Sequence, residues 1–560
     1  MVFAPEGAWE RHPIVARVIV AAAAGLPISA DVSNDRCARC RPTGAARPGL
    51  TRRDLLAGAA GLVIAGRVSG PVSGPAIAQS HRPLVTHGVQ SGDVGPTSGM
   101  VWARSDRPAR MMVEYATTEG FRDARLLSGP DTLEDSDFIG KVELTGLPPG
   151  QTIVYRVHFV DLANLKSRSE PVIGRFPTAP LVAQDIRFVW AGDTAGQGWG
   201  INADWGGIRS FESMRRVEPD FFINSGDSVY ADAPIPAEVP LADGTIWKNL
   251  VIEEKTKVAE TLAEFRAQYK YNLLDENVRR FAAEVPTLAQ WDDHETLNNW
   301  YPGEILGDGP YTERNVSVLA ARAGRAFHEF MPIRPWPGQR DRIYRTIRYG
   351  PALDVFILDM RSYRAANGPN DQAAPGPDTA FLGSEQVAWL KRELIESAAT
   401  WKVIAADMPI GLVRRDGPGA FETAANGSGP PLGREHEIAD LLRTLKAAGV
   451  KNTVWLTADV HYTAAHSYDP KQARFSDFDG FWEFVSGPLH AATGSTAELD
   501  DTFGPQVVFE KSAQGRRLGP ADGLQFFGEV RIAGRTRVMT VILRDLSGAA
   551  LYSVELEPKA

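Results

Sequence analysis

Five groups of polar and ionisable residues stand directly after short apolar runs in this sequence. The groups are Gly192-Asp193-Thr194, Gly226-Asp227-Ser228 with Tyr230 and Asp232, Asp292-Asp293-His294-Glu295 with Asn298-Asn299, Asp359-Met360-Arg361, and Asp459-Val460-His461. Each apolar run predicts a buried strand, and the carboxyl ends of strands in an open α/β sheet face one crevice where ligands bind. We therefore expect the five groups to converge on one site, although they lie far apart in the chain.

Carboxylates brought this close repel one another unless cations lie between them. Asp, Asn, Tyr and His side chains around an open site suit hard or borderline ions such as Ca, Mn, Fe or Zn. Two such ions about 3.5–4 Å apart form a clamp that is used for the hydrolysis of phosphate esters. In this interpretation the metal pair binds the phosphoryl oxygens and activates the attacking water.

Each group taken alone has a simpler interpretation. A single Asp at a strand end is commonly a helix cap or a turn residue, and the Gly-Asp pairs could be plain turns. His461 could be a structural histidine, although its spacing from Asp459 places both side chains on one side of a strand end. Arg361 could pair with Asp359, although its planar guanidinium also matches a phosphate. The run Asp292–Glu295 is harder to dismiss, because four ionisable residues after an apolar strand are costly unless solvated or bound to metal.

Other chemistries find no support in the sequence. It contains neither the G-x-S-x-G motif of a nucleophile elbow nor the G-x-x-x-x-G-K-[ST] motif of a P-loop. The chain has 560 residues, of which 43% are hydrophobic and 23% charged, as is ordinary for a soluble globular protein. Its net charge is -9 with both signs interspersed, so we expect no nucleic-acid-binding surface.

The pattern of apolar runs and turns along the chain predicts two folded regions. Residues 79–180 contain short alternating runs between Gly/Pro/Asp turns, which predict a small all-β sandwich. Residues 183–560 alternate apolar strands with helical patterns and return to strands after Gln506. This rhythm predicts an α/β region whose sheet has largely parallel strands, with helices on its faces.

The first 78 residues predict an export signal. A twin arginine, Arg52-Arg53, precedes an apolar run over 57–65, and an A-x-A sequence ends at Ala78. This pattern is typical of a bacterial Tat signal cleaved after Ala78, with the Tat machinery as a partner and a periplasmic or secreted product. Cys37 and Cys40 precede the cleavage point, so the mature chain would contain no cysteine. No stable membrane span is expected after cleavage.

In their order along the chain, these motifs resemble those of the PhoD-like alkaline phosphatases, a branch of the calcineurin-like metallophosphatases. The stretch Thr86-His-Gly-Val-Gln-Ser-Gly-Asp93 is similar to the start of that family's amino-terminal β domain. The resemblance implies a metallophosphatase-type β-sandwich flanked by helices, of class α/β (α+β), preceded by a small all-β (Ig/fibronectin-like) domain. It also implies two or more metal ions, commonly Fe and Ca, and small phosphate esters as substrates.

The resemblance further implies a set of metal ligands. They are Asp193, Asp227, Tyr230, Asp293, Asn299, Asp359, Asp459 and His461. By position, Asp227 would bridge the metals, while Tyr230 and Asp459 would bind an iron-like ion.

The second metal region, often calcium in this family, would be held by Asp293, Asp359 and Asn299, with Asp292 as the alternative to Asp293. The sequence departs from the family at Asp193, where well-known members carry a cysteine ligand. A carboxylate is a harder ligand than a thiolate, so an Mn or Zn pair remains open beside Fe and Ca.

The same resemblance implies three catalytic residues. His294 would lie near the leaving group and protonate it, Arg361 would grip the phosphoryl oxygens, and His461 would sit beside the phosphate or on a metal. The expected enzyme is an alkaline phosphatase that hydrolyses phosphate esters. A phosphodiesterase with phospholipase D-like activity on diesters or phospholipids is the nearest alternative, and a non-catalytic secreted binding protein is a further one.

Overall fold

The structure is a computed structural model that describes residues 82–427, 429–514 and 518–559. The predicted export signal of residues 1–78, including Cys37 and Cys40, lies outside the described residues. Within the described ranges, every helix is too short or too polar to cross a lipid bilayer.

Strands dominate the described chain, and the longer helices lie between them. The strands of the amino-terminal region are β1 Val85–Gly92, β2 Ser98–Ser105, β3 Ala109–Ala116, β4 Arg125–Thr132, β5 Ile139–Thr145, β6 Thr152–Asp161 and β7 Val172–Pro177. The later strands are β8 Ile186–Ala191, β9 Phe221–Ser225, β10 Glu238–Pro240, β11 Ile246–Lys248, β12 Thr287–Gln290, β13 Arg345–Arg348, β14 Leu353–Ile357, β15 Trp401–Ala405, β16 Leu412–Val413, β17 Thr453–Thr457, β18 Thr463–Tyr468, β19 Phe481–Val485, β20 Glu498–Leu499, β21 Pro505–Lys511, β22 Phe526–Ile532, β23 Met539–Asp545 and β24 Ala550–Leu556. The α-helices are α1 Arg209–Arg215, α2 Leu262–Asn272, α3 Glu276–Glu284, α4 Val316–Phe330, α5 Ser384–Glu396 and α6 Glu435–Ala447.

Two large mixed sheets carry the fold. One has nine strands in the order β24-β23-β22-β8-β9-β12-β1-β2-β5, and the other has seven in the order β13-β14-β15-β17-β19-β18-β21. Neighbouring strands run parallel from β8 through β9 and β12 to β1, and from β14 through β15 and β17 to β19. The pairs outside these central runs are antiparallel.

The two sheets pack face to face. Phe188 and Ile223 of the first sheet share one core with Val355, Val403 and Phe484 of the second. This arrangement confirms the β-sandwich implied by the resemblance. It corrects the expectation of one sheet with helices on both faces, because a strand buried against a second sheet has the same apolar sequence as one buried against a helix.

Helices cover only the outer face of each sheet. Side chains alternate along a strand, so Phe188 points into the sandwich whereas Val189 packs outward with residues of α1–α4. On the second sheet, Phe356 packs outward with residues of α5 and α6. Helix α2 ends at Asn272, and after a short break Asp275 caps α3 by accepting from the backbone N–H of Asn277 and Val278.

The amino-terminal strands form a smaller sandwich that is continuous with the nine-stranded sheet. The sheet β4-β3-β6-β7 packs on β1, β2 and β5 around residues such as Val101, Tyr155 and Phe176. Strand β1 pairs in parallel with β12, Gly92 standing opposite Thr287. The predicted division into residues 79–180 and 183–560 therefore runs through a shared sheet, and its exact boundary stays a prediction.

A buried ion pair ties this region to the larger sandwich. The Asp93 carboxylate accepts from Arg345 Nη2 at 2.7 Å and from Arg345 Nε at 3.0 Å, and both side chains are at most 6% exposed. Asp93 also accepts from the backbone N–H of Arg334, while Arg345 Nη1 donates to the carbonyl of Ala289 next to the site motifs.

We expect Asp93→Ala to lower the free energy of unfolding by about 3–5 kcal/mol, because it leaves the Arg345 guanidinium buried without its partner. Urea denaturation followed by far-UV circular dichroism measures the change. Arg82→Ala is the matched control, since its pair with Glu170 is exposed on both sides and contributes about 0–1 kcal/mol. Equal effects of the two substitutions would contradict this account.

Candidate active site

The carboxyl ends of the central strands of both sheets carry the polar groups predicted from the sequence. Asp193 follows β8 and Asp227 follows β9 on the nine-stranded sheet, while Asp459 follows β17 on the other. They meet at a cavity of ≈ 670 Å³. Six predicted residues line it, namely Asp227, Asp293, His294, Asn299, Asp459 and His461. Asp193 and Tyr230 are buried and reach this site through contacts with His461.

One ligand group consists of Asp193, Asp227 and His461, whose ligand atoms all lie within 4.8 Å of one another. His461 Nδ1 hydrogen-bonds to the carbonyl oxygen of Ala492, which can only accept. Because Nδ1 contacts this carbonyl, Nε2 is the ring nitrogen that faces the ligand group, an arrangement typical of a histidine that binds metal. This Nε2 lies 3.3 Å from Asp193 Oδ1 and 2.9 Å from the Tyr230 hydroxyl.

A second group consists of Asp227, Asp293 and His294, again with ligand atoms within 4.8 Å. Asp227 belongs to both groups, which is the position of a bridging ligand. Asp293 Oδ2 accepts from the backbone N–H of Asn299 at 2.6 Å, and Asp227 Oδ1 accepts from that of His294 at 3.1 Å. His294 Nδ1 hydrogen-bonds to Asp232 Oδ1 at 2.7 Å, and its Nε2 lies 3.9 Å from Asp293 Oδ1.

The electrostatics of the site are dominated by buried negative charge. Burial and the neighbouring carboxylates, Asp293 first among them, raise the pKa of Asp227 well above its usual value. Burial and Glu422 raise the pKa of Asp459 in the same way. Burial would also raise the pKa of Asp293, but the charges of His294 and Arg361 and the Asn299 N–H outweigh it and bring it to about 2. The raised pKa values of Asp227 and Asp459 reflect burial and carboxylate repulsion, both of which a bound cation would offset.

The donor set fits metal ions. Neither oxygen of Asp193 has a hydrogen-bond partner, and the same holds for Asp293 Oδ1 and Asp459 Oδ2. A buried carboxylate oxygen without a partner is costly. Cations between these oxygens would satisfy them, and the carboxylate and imidazole donors suit Mn, Fe or Zn as well as harder ions.

The backbone holds several of these residues in a conformation that non-glycine residues rarely adopt. The φ angles are 67° at Asp193, 48° at Asp227, 56° at Asn299, 66° at Asp459 and 58° at His461. Positive φ at Asp, Asn and His costs less than at other non-glycine residues, and such positions cluster at functional sites. Five predicted ligands therefore share both a location and an unusual backbone.

Arg361 lies beneath the cavity and does not line it. Its side chain is 0% exposed, with Nε 2.6 Å from Asp292 Oδ1 and Nη2 2.6 Å from Glu422 Oε1. Its Nη2 also lies 3.7 Å from Asp293 Oδ2, and its Nε lies 3.7 Å from Asp407 Oδ2. The geometry thus gives Arg361 the task of neutralising acidic residues under the site. Arg361 contacts carboxylates in this structure, and its predicted contact with phosphoryl oxygens stays a prediction.

Asp359 is likewise separated from the cavity lining. Its Oδ1 accepts from Trp291 Nε1 at 3.0 Å and from the backbone N–H groups of Arg361 and Ser362, so it shapes the turn after β14. Its Oδ2 is buried without a hydrogen-bond partner. The structure does not bring Asp359 into either ligand group, and its predicted place at the second metal stays a prediction.

Several residues of the site were missed by the sequence analysis. Asp407 follows β15 as Asp227 follows β9, so the same strand-end signal was present. Asp232 stood inside a recognised motif without a role, although it binds His294. Glu422 and Arg414 lie in the long connection between β16 and α6, where no strand-end pattern marks them.

We expect the purified protein to carry about two metal ions per chain and Asp227→Asn to lose most of this metal, because Asp227 belongs to both ligand groups. Elemental analysis by mass spectrometry measures the content. Asp308→Asn is the control, since the Asp308 side chain is 98% exposed and pairs with Arg314 away from the ligand groups. Full metal content in a folded Asp227→Asn protein would contradict a shared ligand.

Two family models match long stretches of the chain. Residues 188–543 match the family "PhoD-like phosphatase", and residues 72–180 match "PhoD-like phosphatase, N-terminal domain". Alkaline phosphatase D of Bacillus subtilis (strain 168) is 28% identical over 337 residues, which cover 57% of this chain and 52% of that protein. The chain thus matches about half the length of this curated relative.

Two solved structures share the fold. A structure of PhoD superposes with a TM-score of 0.62 at 20% identity, covering 84% of this chain and 89% of that one. Purple acid phosphatase PPD1 from seeds of yellow lupin (Lupinus luteus) superposes with a TM-score of 0.54 at 14% identity, covering 85% and 74%. The family match over most of the described chain confirms the resemblance stated from the motifs, and the chain belongs to the PhoD-like phosphatase family.

Proposed function

We propose that this chain is a metal-dependent phosphoesterase of the alkaline phosphatase type. The observation that carries the proposal is the pair of ligand groups that share Asp227 at the floor of an open cavity. Metal ions bound there would supply Lewis acidity and an activated water. Fe and Ca are the proposed ions on the family resemblance, with Mn or Zn as alternatives because Asp193 supplies a carboxylate.

The residues of the chain divide the remaining work. Asp193, Asp227, Asp293, Asp459 and His461 hold negative charge and lone pairs around the reacting position. His294 lies at the cavity wall, where it can donate a proton to a departing alkoxide. Burial alone would lower its pKa, but the charges of Asp232 and Asp293 outweigh burial and raise the pKa to about 10. As a general acid His294 donates the proton itself and offers no lone pair to a metal, so in this role Asp227 and Asp293 remain as the ligands of the second group.

The cavity favours phosphate esters of polar alcohols. Its lining includes Gln197, Asn298, Ser495 and Thr496, whereas Val413 and Ala497 are its apolar side chains. Lipid tails bind to apolar walls, so this lining supports small phosphate monoesters or diesters over phospholipids. A phosphodiester differs from a monoester by its second ester group, and the cavity volume leaves room for that group.

We also propose that the protein acts outside the cytoplasm. The support is the twin-arginine pattern of residues 51–78, which belongs to the sequence alone. The test fuses residues 1–85 to a reporter and measures its export. Replacing both arginines, Arg52→Lys with Arg53→Lys, should abolish export if the signal is a twin-arginine signal.

We expect Asp227→Ala and Asp459→Ala each to lower kcat/KM for p-nitrophenyl phosphate by on the order of 10³-fold, because each removes a charge from the reacting centre. Asp308→Ala should leave the rate unchanged. Rates are compared on p-nitrophenyl phosphate, bis-p-nitrophenyl phosphate and a phospholipid. Near-normal hydrolysis by the folded site variants would refute the assignment, and activity on the phospholipid alone would refute the substrate class.

We expect Asp232→Asn to move the alkaline limb of the pH profile of kcat/KM to lower pH. The Asp232 charge raises the pKa of His294, so its removal lets His294 lose the catalytic proton at a lower pH. Asp232→Glu keeps the charge and should keep the limb near its original position. An unchanged limb in Asp232→Asn would show that His294 is not the general acid.

A further inference from the structure

The charged lining of the cavity is strongly unequal in sign. Five carboxylates line it, namely Asp227, Asp293, Glu422, Asp459 and Glu498. The arginines of the lining are Arg414 and Arg415. A phosphate ester is an anion, so the protein's own cations at this lining decide where its oxygens can rest outside the metal centre.

The two arginines differ in what they already bind. Arg415 Nη2 lies 3.8 Å from Glu498 Oε2, and its guanidinium stacks 4.6 Å above the ring of Phe421. The Arg414 guanidinium makes no hydrogen bond or ion pair to any residue within the ranges that the structure describes. It is half-buried at the lining, which makes it an unengaged charge facing the cavity.

Two of the acids near Arg414 already have arginine partners. Glu422 is bound by Arg361 at 2.6 Å, and Glu498 is taken by Arg415. Asp459 is close enough for the Arg414 charge to lower its pKa, but the two side chains form no ion pair. Asp459 Oδ2 has no hydrogen-bond partner and is among the oxygens that a bound cation would satisfy, so Arg414 stays available for an anion.

The backbone of Arg414 is fixed on both sides. Its N–H donates to Thr423 Oγ1 at 3.2 Å, and its carbonyl accepts from the N–H of Glu422 at 3.0 Å. Val413 pairs with Glu498 in the short ribbon of β16 and β20. The Arg414 backbone is therefore already fixed, so binding of an anion by the guanidinium costs no further backbone entropy.

We propose that Arg414 binds the non-bridging oxygens of the phosphate ester, the contact that the sequence analysis assigned to Arg361. The inference deepens the proposed function and rests on it. Arg361 is unavailable because leaving Asp292 and Glu422 would strand both as unpaired buried carboxylates. Arg414 offers the same planar fork, without a partner to lose and at the cavity wall.

The test compares four variants of the metal-loaded protein. For p-nitrophenyl phosphate we expect Arg414→Ala to lower kcat/KM about 10–100-fold. The effect should fall mainly on KM, because the lost charge-assisted contact is formed in the enzyme–substrate complex as well as in the transition state. Arg414→Lys keeps the charge without the fork and should fall between. Arg415→Ala removes a cation that is already paired. Arg443→Ala is the control for unchanged rates, because Arg443 lies on α6 away from the lining and its guanidinium pairs with Asp477.

Binding of inorganic phosphate, measured by isothermal titration calorimetry, provides a readout without turnover. Arg414→Ala should weaken it by a factor similar to the rise in KM, with an unchanged melting temperature. Unchanged phosphate affinity in Arg414→Ala, or an equal loss in Arg415→Ala, would overturn the assignment. If the unsubstituted protein hydrolyses no phosphate ester, the proposed function fails, while calorimetry still decides whether Arg414 binds phosphate.

Discussion

Mutual repulsion of buried carboxylates is the constraint around which this structure is arranged. Parallel strands end on the same side of their sheets, so Asp193, Asp227, Asp293 and Asp459 are forced together at the carboxyl ends of the strands, where the first three are buried and Asp459 is half-buried. In a medium of low polarity like charges at such separations are strongly unfavourable. The fold can keep them ionised only by placing positive charge among or beneath them.

Part of that charge is built into the chain. Arg361 lies under the site and contacts Asp292 and Glu422, and its pKa is raised well above the usual value because the coulombic effect of these acids outweighs burial. Arg434 donates to the carbonyls of Phe421 and Glu422 and so holds the loop that delivers Glu422. This buried layer neutralises the lower acids and leaves the upper ones to metal ions. It also explains why the most deeply buried arginine is not the one free to meet a substrate.

The sequence predicted the strand-end residues well because each signal is local. An apolar run followed by Gly-Asp identifies both a strand and the residue at its end, as at Asp193 and Asp227. The existence of two facing sheets was not predictable from apolar runs, since Phe188 and Val189 are equally apolar but face a sheet and helices respectively. The resemblance to a family supplied what the periodicity could not.

The direction of a side chain is harder to predict than its identity. Arg361 was recognised as functional, yet its partner Glu422 lies 61 residues further along the chain in an irregular segment. Arg414 carries no signal in the sequence because its significance comes from lacking a partner, which only tertiary structure reveals. Charge balance over a whole cavity is a sum over many elements, and no local window contains it.

Close backbone packing fixes the geometry of the ligands before any ion binds. A Cβ on Gly226, whose φ is 92°, would lie 2.5 Å from the Asp292 Cβ, and a Cβ on Gly487 would lie 2.2 Å from Asp193 Oδ2. Only glycine allows these approaches. The positive φ angles at Asp227 and Asp459 add strain that the surrounding sandwich must sustain. Holding repelling groups in place therefore lowers the stability of the folded protein. Binding of cations would offset this cost, so metal affinity and the free energy of unfolding are thermodynamically linked.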